Sequence, residues 1–168
     1  MHCDLKSSNI LVDENWNIKL ADFGLSRIRK DQKMERKSRV GTPNWMAPEV
    51  IRGEKYTDKS DVYGFGMCLW ELVTKKIPYF GYSFPQIAGL VGFNKENCQE
   101  LVNEIPEDCH YVFKNIITKC LDYEPTNRPS FEEILDDIQK NKPDLKKEAY
   151  VFCELDRFFG PVMISKND

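Results

Sequence analysis

The stretch SDVYGFGMCLWELVTKK, Ser60 to Lys76, constrains the fold more than any other part of the sequence. Wound as a helix, it is apolar on nearly every side, so it offers water almost no face. It therefore reads as a buried central helix that the rest of the chain must surround. Gly64 and Gly66 lie inside it and lower its helix propensity. Close packing of another backbone against them explains why they are there.

The remaining pattern supplies the surroundings. EDCHYVFKNIITKCL puts Cys109, Val112, Phe113, Ile116, Ile117, Cys120 and Leu121 at helical spacing, as one core-facing stripe. Ser130 and Glu133 form a capping box that opens SFEEILDDIQK, with Ile134, Leu135 and Ile138 facing inward and Lys142 and Pro143 ending the helix. Pro78 and Gly81 mark a break, after which Ser83 and Gln86 open a short helix through about Val91. Nearer the start, NILVD and NIKLA are two short apolar runs separated by ENW, which predicts a tight β-hairpin. Residues 27–39 turn basic and lose periodicity, as an exposed loop does. The fold class is mainly α with a small N-terminal β-hairpin, in a domain over 1–140. Residues 141–168 form a tail whose pattern favours no one structure.

Composition closes several routes. At 168 residues and 41% hydrophobic content the chain fits one globular domain or a large piece of one. A net charge of -3 gives no footing for nucleic-acid binding. No apolar run approaches the roughly 18 residues that a membrane helix needs, and the polar first residues are not a secretory signal. The six cysteines are spread singly with no C-x-x-C pair, which predicts reduced thiols and a cytoplasmic protein. A zinc site needs clustered ligands. Cys109 adjoins His110 but lies on the apolar stripe, where a thiol packs as a small hydrophobe.

The chemistry-bearing residues gather at the start of the chain. Asp4 precedes the first strand, Asn9 begins it and Asp22 follows the second. A hairpin brings the bases of its strands together, so three oxygen-bearing side chains can converge at one end. Carboxylate and amide oxygens suit Mg²⁺, which binds phosphate oxygens as well. Lys6 adds a point charge, and Gly24 allows a sharp turn after Asp22. Together these make a phosphoryl-transfer inventory. Each Asp, Asn or Gly among them, taken alone, is better explained as a turn residue.

HCDLKSSN resembles the H-R-D-x-x-x-x-N catalytic loop of protein kinases, and D-F-G follows at Asp22 to Gly24. A-P-E stands at Ala47 to Glu49, SDVYGFGMCLWEL resembles the central helix of the kinase large lobe, and PTNRPSF resembles the segment that carries its late arginine. GTPNWMAPEVI and LWEL are similar to the tyrosine-kinase-like group, which mostly phosphorylates Ser and Thr, and Lys6, two residues after Asp4, resembles the serine/threonine pattern. The resemblance implies the large, C-terminal lobe of a kinase using ATP and Mg²⁺ on protein Ser/Thr substrates. It implies Asp4 as base, Lys6 at the transferring phosphoryl group, Asn9 and Asp22 as Mg²⁺ ligands, and Leu11 as floor under adenine. It implies that His2 and Phe23 stack, that Asp61 fixes the catalytic-loop backbone, that Thr42 bonds Asp4 and Lys6, and that Glu49 pairs with Arg128.

Two departures stand out. Cys3 occupies the position where most of these kinases carry an arginine that reads activation-loop phosphate, and a neutral thiol cannot do so. Phosphorylation of Ser38, inside the basic loop, is therefore expected to couple weakly to activity. A cysteine phosphatase would instead need H-C-x5-R, but Asn9 stands at the arginine position. Second, no G-x-G-x-x-G occurs, and the catalytic loop begins at residue 2, so the small lobe is expected to be missing. The chain alone is then expected to bind Mg·ATP poorly and to be inactive. Apolar surface near Leu11 and Phe23 would be exposed to a small lobe or another chain. Two readings follow: a fragment of an active kinase, or a non-catalytic interaction module.

Overall fold

In the computed structural model, which describes residues 1–26 and 41–147 (backbone only from 142), the apolar stretch forms helix α2, Asp58–Thr74. Its start is set by a cap in which Thr57 N donates to Ser60 Oγ at 3.1 Å. Its end is set by Lys75 in a left-handed conformation, φ 58. Val62, Tyr63, Met67 and Trp70 are all buried along it. The two glycines mark the closest approaches. A Cβ on Gly64 would lie 2.9 Å from the Leu5 carbonyl oxygen, and one on Gly66 would lie 2.6 Å from Cys120 Cβ. One glycine thus seats the N-terminal loop on α2, and the other seats the helix that follows later.

Around α2 the chain lays short elements. The hairpin pairs β1, Ile10–Val12, with β2, Ile18–Leu20, antiparallel, in the register Ile10↔Leu20 and Val12↔Ile18. Asp13 holds its turn by accepting from the Asn15 and Asn17 amides, both at 2.9 Å. Helix α1 spans Pro48–Ile51. Helix α3, Phe84–Ile87, continues as a wider π turn over Ala88–Gly92, so the short helix predicted through Val91 changes pitch halfway. A Cβ on Gly92 would meet Ile51 Cγ2 at 2.8 Å, which seats that turn on α1. Helix α4 covers Asn97–Asn103.

Helix α5, Tyr111–Cys120, buries Val112, Ile116, Ile117 and Cys120 against α2, and Leu121 follows them into the core. Cys109 stands ahead of this helix and is half-buried, because the His110 side chain caps the helix start by accepting from Val112 N at 3.2 Å. Helix α6, Phe131–Lys147, opens on the expected box, with Ser130 N donating to Glu133 Oε2 at 2.7 Å. Two readings of this helix are corrected. Leu135 is 53% exposed, because among the described residues of this helix Ile134 and Ile138 are the ones that reach the cluster formed with Val62, Val112 and Ile116. One step along a helix turns a side chain by about 100°, away from so narrow a contact. The backbone also passes through Pro143 and stays helical to Lys147. Proline removes one donor, but its fixed φ suits an α conformation.

Gly66→Ala is expected to destabilise the chain by about 1–3 kcal/mol, since overpacking against Cys120 outweighs the gain in helix propensity. Gly89→Ala, with nothing within 4 Å of its added Cβ, serves as the control and should leave the denaturant midpoint nearly unmoved.

Candidate active site

The N-terminal loop is held from below by α2. Asp61, in the first turn of α2, accepts from His2 N at 2.8 Å through Oδ2 and from Cys3 N at 3.0 Å through Oδ1. His2 is buried, its Nε2 donates to the Ala21 carbonyl at 3.0 Å, and its Nδ1 accepts from Asp4 N at 3.3 Å. The His2 ring also lies 4.9 Å from the Phe23 ring, tilted by 58°. Ser26 Oγ donates to the His2 carbonyl at 3.1 Å. The loop is therefore tied to α2 below and to the segment after β2 beside it. Cys3 is buried with φ 71, a left-handed turn that aims the next residue outward.

That next residue is Asp4. Its Oδ1 accepts from Thr42 N at 2.8 Å and from Thr42 Oγ1 at 3.0 Å. Lys6 Nζ donates to Thr42 Oγ1 at 2.7 Å and lies 3.1 Å from Asp4 Oδ2. Carboxylate, ammonium and hydroxyl thus close one ring of contacts. Burial works to raise the Asp4 carboxyl, but the hydrogen bonds from Lys6 and from the Thr42 backbone and hydroxyl outweigh it and hold it below its ordinary value. Gly41, at φ 116, makes this approach possible: a Cβ there would stand 3.3 Å from the Cys3 carbonyl oxygen.

Asn9 ends a 3₁₀ turn, Ser7–Asn9, and its Nδ2 donates to the Asp4 carbonyl at 2.9 Å. That bond turns its amide oxygen away from the loop. Ala21 N donates to the Asn9 carbonyl at 2.8 Å, which brings the residue before Asp22 to the base of β1. Asp22 adopts a left-handed conformation, φ 60, and accepts from Gly24 N at 3.4 Å. Two oxygen donors, one amide and one carboxylate, fit a Mg²⁺ ion that takes its other ligands from phosphate and water. Among the described residues no group of three His, Cys, Asp or Glu side chains could cage an ion by itself.

The segment after Thr42 is anchored at depth. Arg128, 1% exposed, donates from Nη1 to Glu49 Oε1 at 2.8 Å and from Nη2 to Glu49 Oε2 at 2.9 Å. Ser60 Oγ donates to the same Glu49 Oε1 at 2.7 Å. Leu11 and Phe23 are 53% and 59% exposed, so the hairpin presents an apolar face. Ser38 lies outside the described residues. Burial pushes the thiols of Cys68 and Cys120 up to about 12, so neither is poised as a thiolate nucleophile.

Sequence reasoning missed two supports. Trp45 Nε1 donates to Glu71 Oε2 at 3.1 Å, and the Tyr56 hydroxyl donates to Asp61 Oδ1 at 2.6 Å. Neither pair has a spacing that marks it, since each contact forms only when the segment before α2 folds back on that helix. No helix of the described residues is long and apolar enough to cross a membrane.

Thr42→Val is expected to raise the Asp4 carboxyl toward its usual 3.8, as read by ¹³C NMR titration. A carboxyl depressed by folding contributes stability above its unfolded value and loses it as pH falls through the folded one. The variant should therefore lose less stability than the parent on acidification below about pH 4.

Comparison with known proteins agrees with this geometry. A protein kinase domain model matches residues 1–138. The serine/threonine-protein kinase CTR1 of Arabidopsis thaliana is 46% identical over 136 residues, covering 81% of this chain and 16% of CTR1. The dual specificity protein kinase shkD of Dictyostelium discoideum is 43% identical over 136 residues, covering 80% of this chain and 18% of shkD. A kinase/receptor protein of Acanthamoeba polyphaga mimivirus, R826, is 39% identical over 145 residues, covering 86% of this chain and 8% of R826. The chain thus spans less than a fifth of the length of each of these relatives.

Proposed function

The chain belongs to the protein kinase domain family, and from that premise we propose that it carries the catalytic-loop side of a serine/threonine kinase of the tyrosine-kinase-like kind. The observation that carries this reading is the closed contact of Asp4, Lys6 and Thr42. Asp4 stands ready to orient a substrate hydroxyl and accept its proton, and its depressed carboxyl keeps it ionised for that task. Lys6, 3.1 Å from Asp4, places positive charge where negative charge builds during transfer. Thr42 fixes both side chains relative to each other. Asn9 and Asp22 would hold Mg²⁺, with Leu11 beneath the adenine of ATP. Mg²⁺ and ATP, when bound, supply the γ-phosphoryl group and the charge that neutralises it.

The exposed apolar hairpin face supports a second element of the reading. The 168 residues contain no G-x-G-x-x-G, so this side of the cleft works with a Gly-rich lobe that covers Leu11 and Phe23. The protein substrate presents Ser or Thr. The module alternative rests on that same apolar face and on Cys3, and it dispenses with Asp4.

Transfer of phosphate from Mg·ATP to a generic Ser/Thr protein separates the two. The chain alone should give no detectable product. Joined to the small lobe of a relative it should become active, and Asp4→Asn should lower that activity by at least about 100-fold. Activity untouched by Asp4→Asn would end the kinase reading. In the same joined protein, phosphorylation of Ser38 should change the rate little, and Cys3→Arg should create a response to it. An equal response in parent and Cys3→Arg would show that Cys3 does not set this coupling.

A further inference from the structure

Tyr56 lies between α1 and α2, outside every motif that points to the kinase reading, and it is half-buried. Its hydroxyl makes the shortest bond that Asp61 receives, 2.6 Å to Oδ1, against 2.8 Å from His2 N and 3.0 Å from Cys3 N. The origin of these donors matters. Two come from the loop that Asp61 has to position, so they cannot by themselves fix where the carboxylate stands. The third comes from outside that loop, five residues ahead of Asp61 in the chain.

The loop needs such a fixed support. Cys3 holds φ 71, a conformation that a non-glycine residue keeps only where surrounding contacts over-determine it. Tyr56 lines the same small cavity as Cys3, Asp4, Gly41 and Thr42, so it lies under both the loop and the segment that covers Asp4. Burial, and then the charge of Asp61, hold its hydroxyl protonated far above the ordinary tyrosine range, which keeps it a donor. A phenylalanine ring would fill the same space. Only the hydroxyl reaches the carboxylate.

We propose that Tyr56 is a positioning residue, whose hydroxyl fixes the Asp61 carboxylate, and through it the His2–Cys3 backbone, so that Asp4 stands where phosphoryl transfer requires it. The catalytic part of this proposal rests on the kinase reading, whereas the tether itself does not.

The test uses Tyr56→Phe. In the ¹⁵N-labelled chain, exchange of the His2 and Cys3 amide protons should speed up by about tenfold, the scale of one hydrogen bond to a charged group. Exchange at Met67 and Ile117, deep in the core, should change by less than about twofold. Tyr56→Phe added to Asp61→Asn should do little more than Asp61→Asn alone. In the chain joined to a relative's small lobe, kcat should fall with the KM for ATP unmoved. Parent-like exchange at His2 and Cys3, or uniform acceleration that includes Met67 and Ile117, would overturn the tether. Loosened amides with an unchanged kcat would overturn its catalytic consequence. A joined parent protein that transfers no phosphate would count against the kinase reading, and the exchange result would still decide the tether.

Discussion

Arg128 binds Glu49, 79 positions earlier in the chain, and so ties remote segments together. Its guanidinium is buried, so its charge is tolerable only with every donor engaged. Nη1 serves Glu49 and the Lys59 carbonyl, Nη2 serves Glu49 and the Tyr123 carbonyl, and Nε serves the Asp122 carbonyl at 2.7 Å. The guanidinium carbon lies 5.0 Å from the centre of the Tyr63 ring. One side chain thereby joins α1, α2 and the turn before α6. The planar fork explains the residue choice, because a lysine ammonium could not reach these carbonyls and both carboxylate oxygens at once. Leaving Glu49 unpaired at this depth would cost about 3–5 kcal/mol, a large part of the stability of a domain this size.

From that anchor the site is built outward by successive fixed points. Arg128 fixes Glu49, and Glu49 with Ser60 fixes where α1 meets the start of α2. Asp61, the residue after Ser60, fixes the N-terminal loop. Gly64, one turn further along, lets that loop lie close to α2. Thr42 reaches Asp4 because the residues after it, up to Ala47, lead straight into α1. A substitution at the ion pair would therefore be felt at Asp4 through position and without direct contact, as expected where packed elements move as units.

Much of this was legible in the sequence, for definite reasons. The central helix, the capping boxes at Ser83 and Ser130 and the hairpin each rest on local signals a few residues long. The contacts of Thr42 with Asp4 and Lys6, of Asp61 with the His2–Cys3 backbone and of Glu49 with Arg128 were legible because an ordered set of motifs fixes their relative placement. What was not legible depends on contact between segments remote in the chain or on fine direction. Leu135 looked inward because it is apolar and neighbours Ile134, but α6 meets its neighbours along one narrow stripe. Pro143 reads as a stop, yet a proline whose lost hydrogen bond is tolerated does not end a helix. Tyr56 and Trp45 gave no signal, since an aromatic residue beside a helix start reads first as packing.

The two sides of the candidate site differ in how far this chain predetermines them. Asp4 is held by Thr42 through backbone and hydroxyl, faces Lys6, and rests on a loop bound to Asp61. Its place follows from contacts inside the described residues. Among the described residues, Asp22 has a left-handed backbone and one long 3.4 Å contact from Gly24, and its neighbour Phe23 is mostly exposed despite its tilted ring contact with His2. A carboxylate with so few fixed donors among the described residues takes its final direction from whatever charge arrives beside it. On the proposed function, the base side of the cleft is therefore preorganised, which would keep reorganisation out of the proton-transfer step. On that same proposal, the metal side would be completed by the ligand it receives and by a surface covering the hairpin. Of the two, the metal side is thus where, on the proposed function, binding energy would be spent on ordering before a phosphoryl group could move.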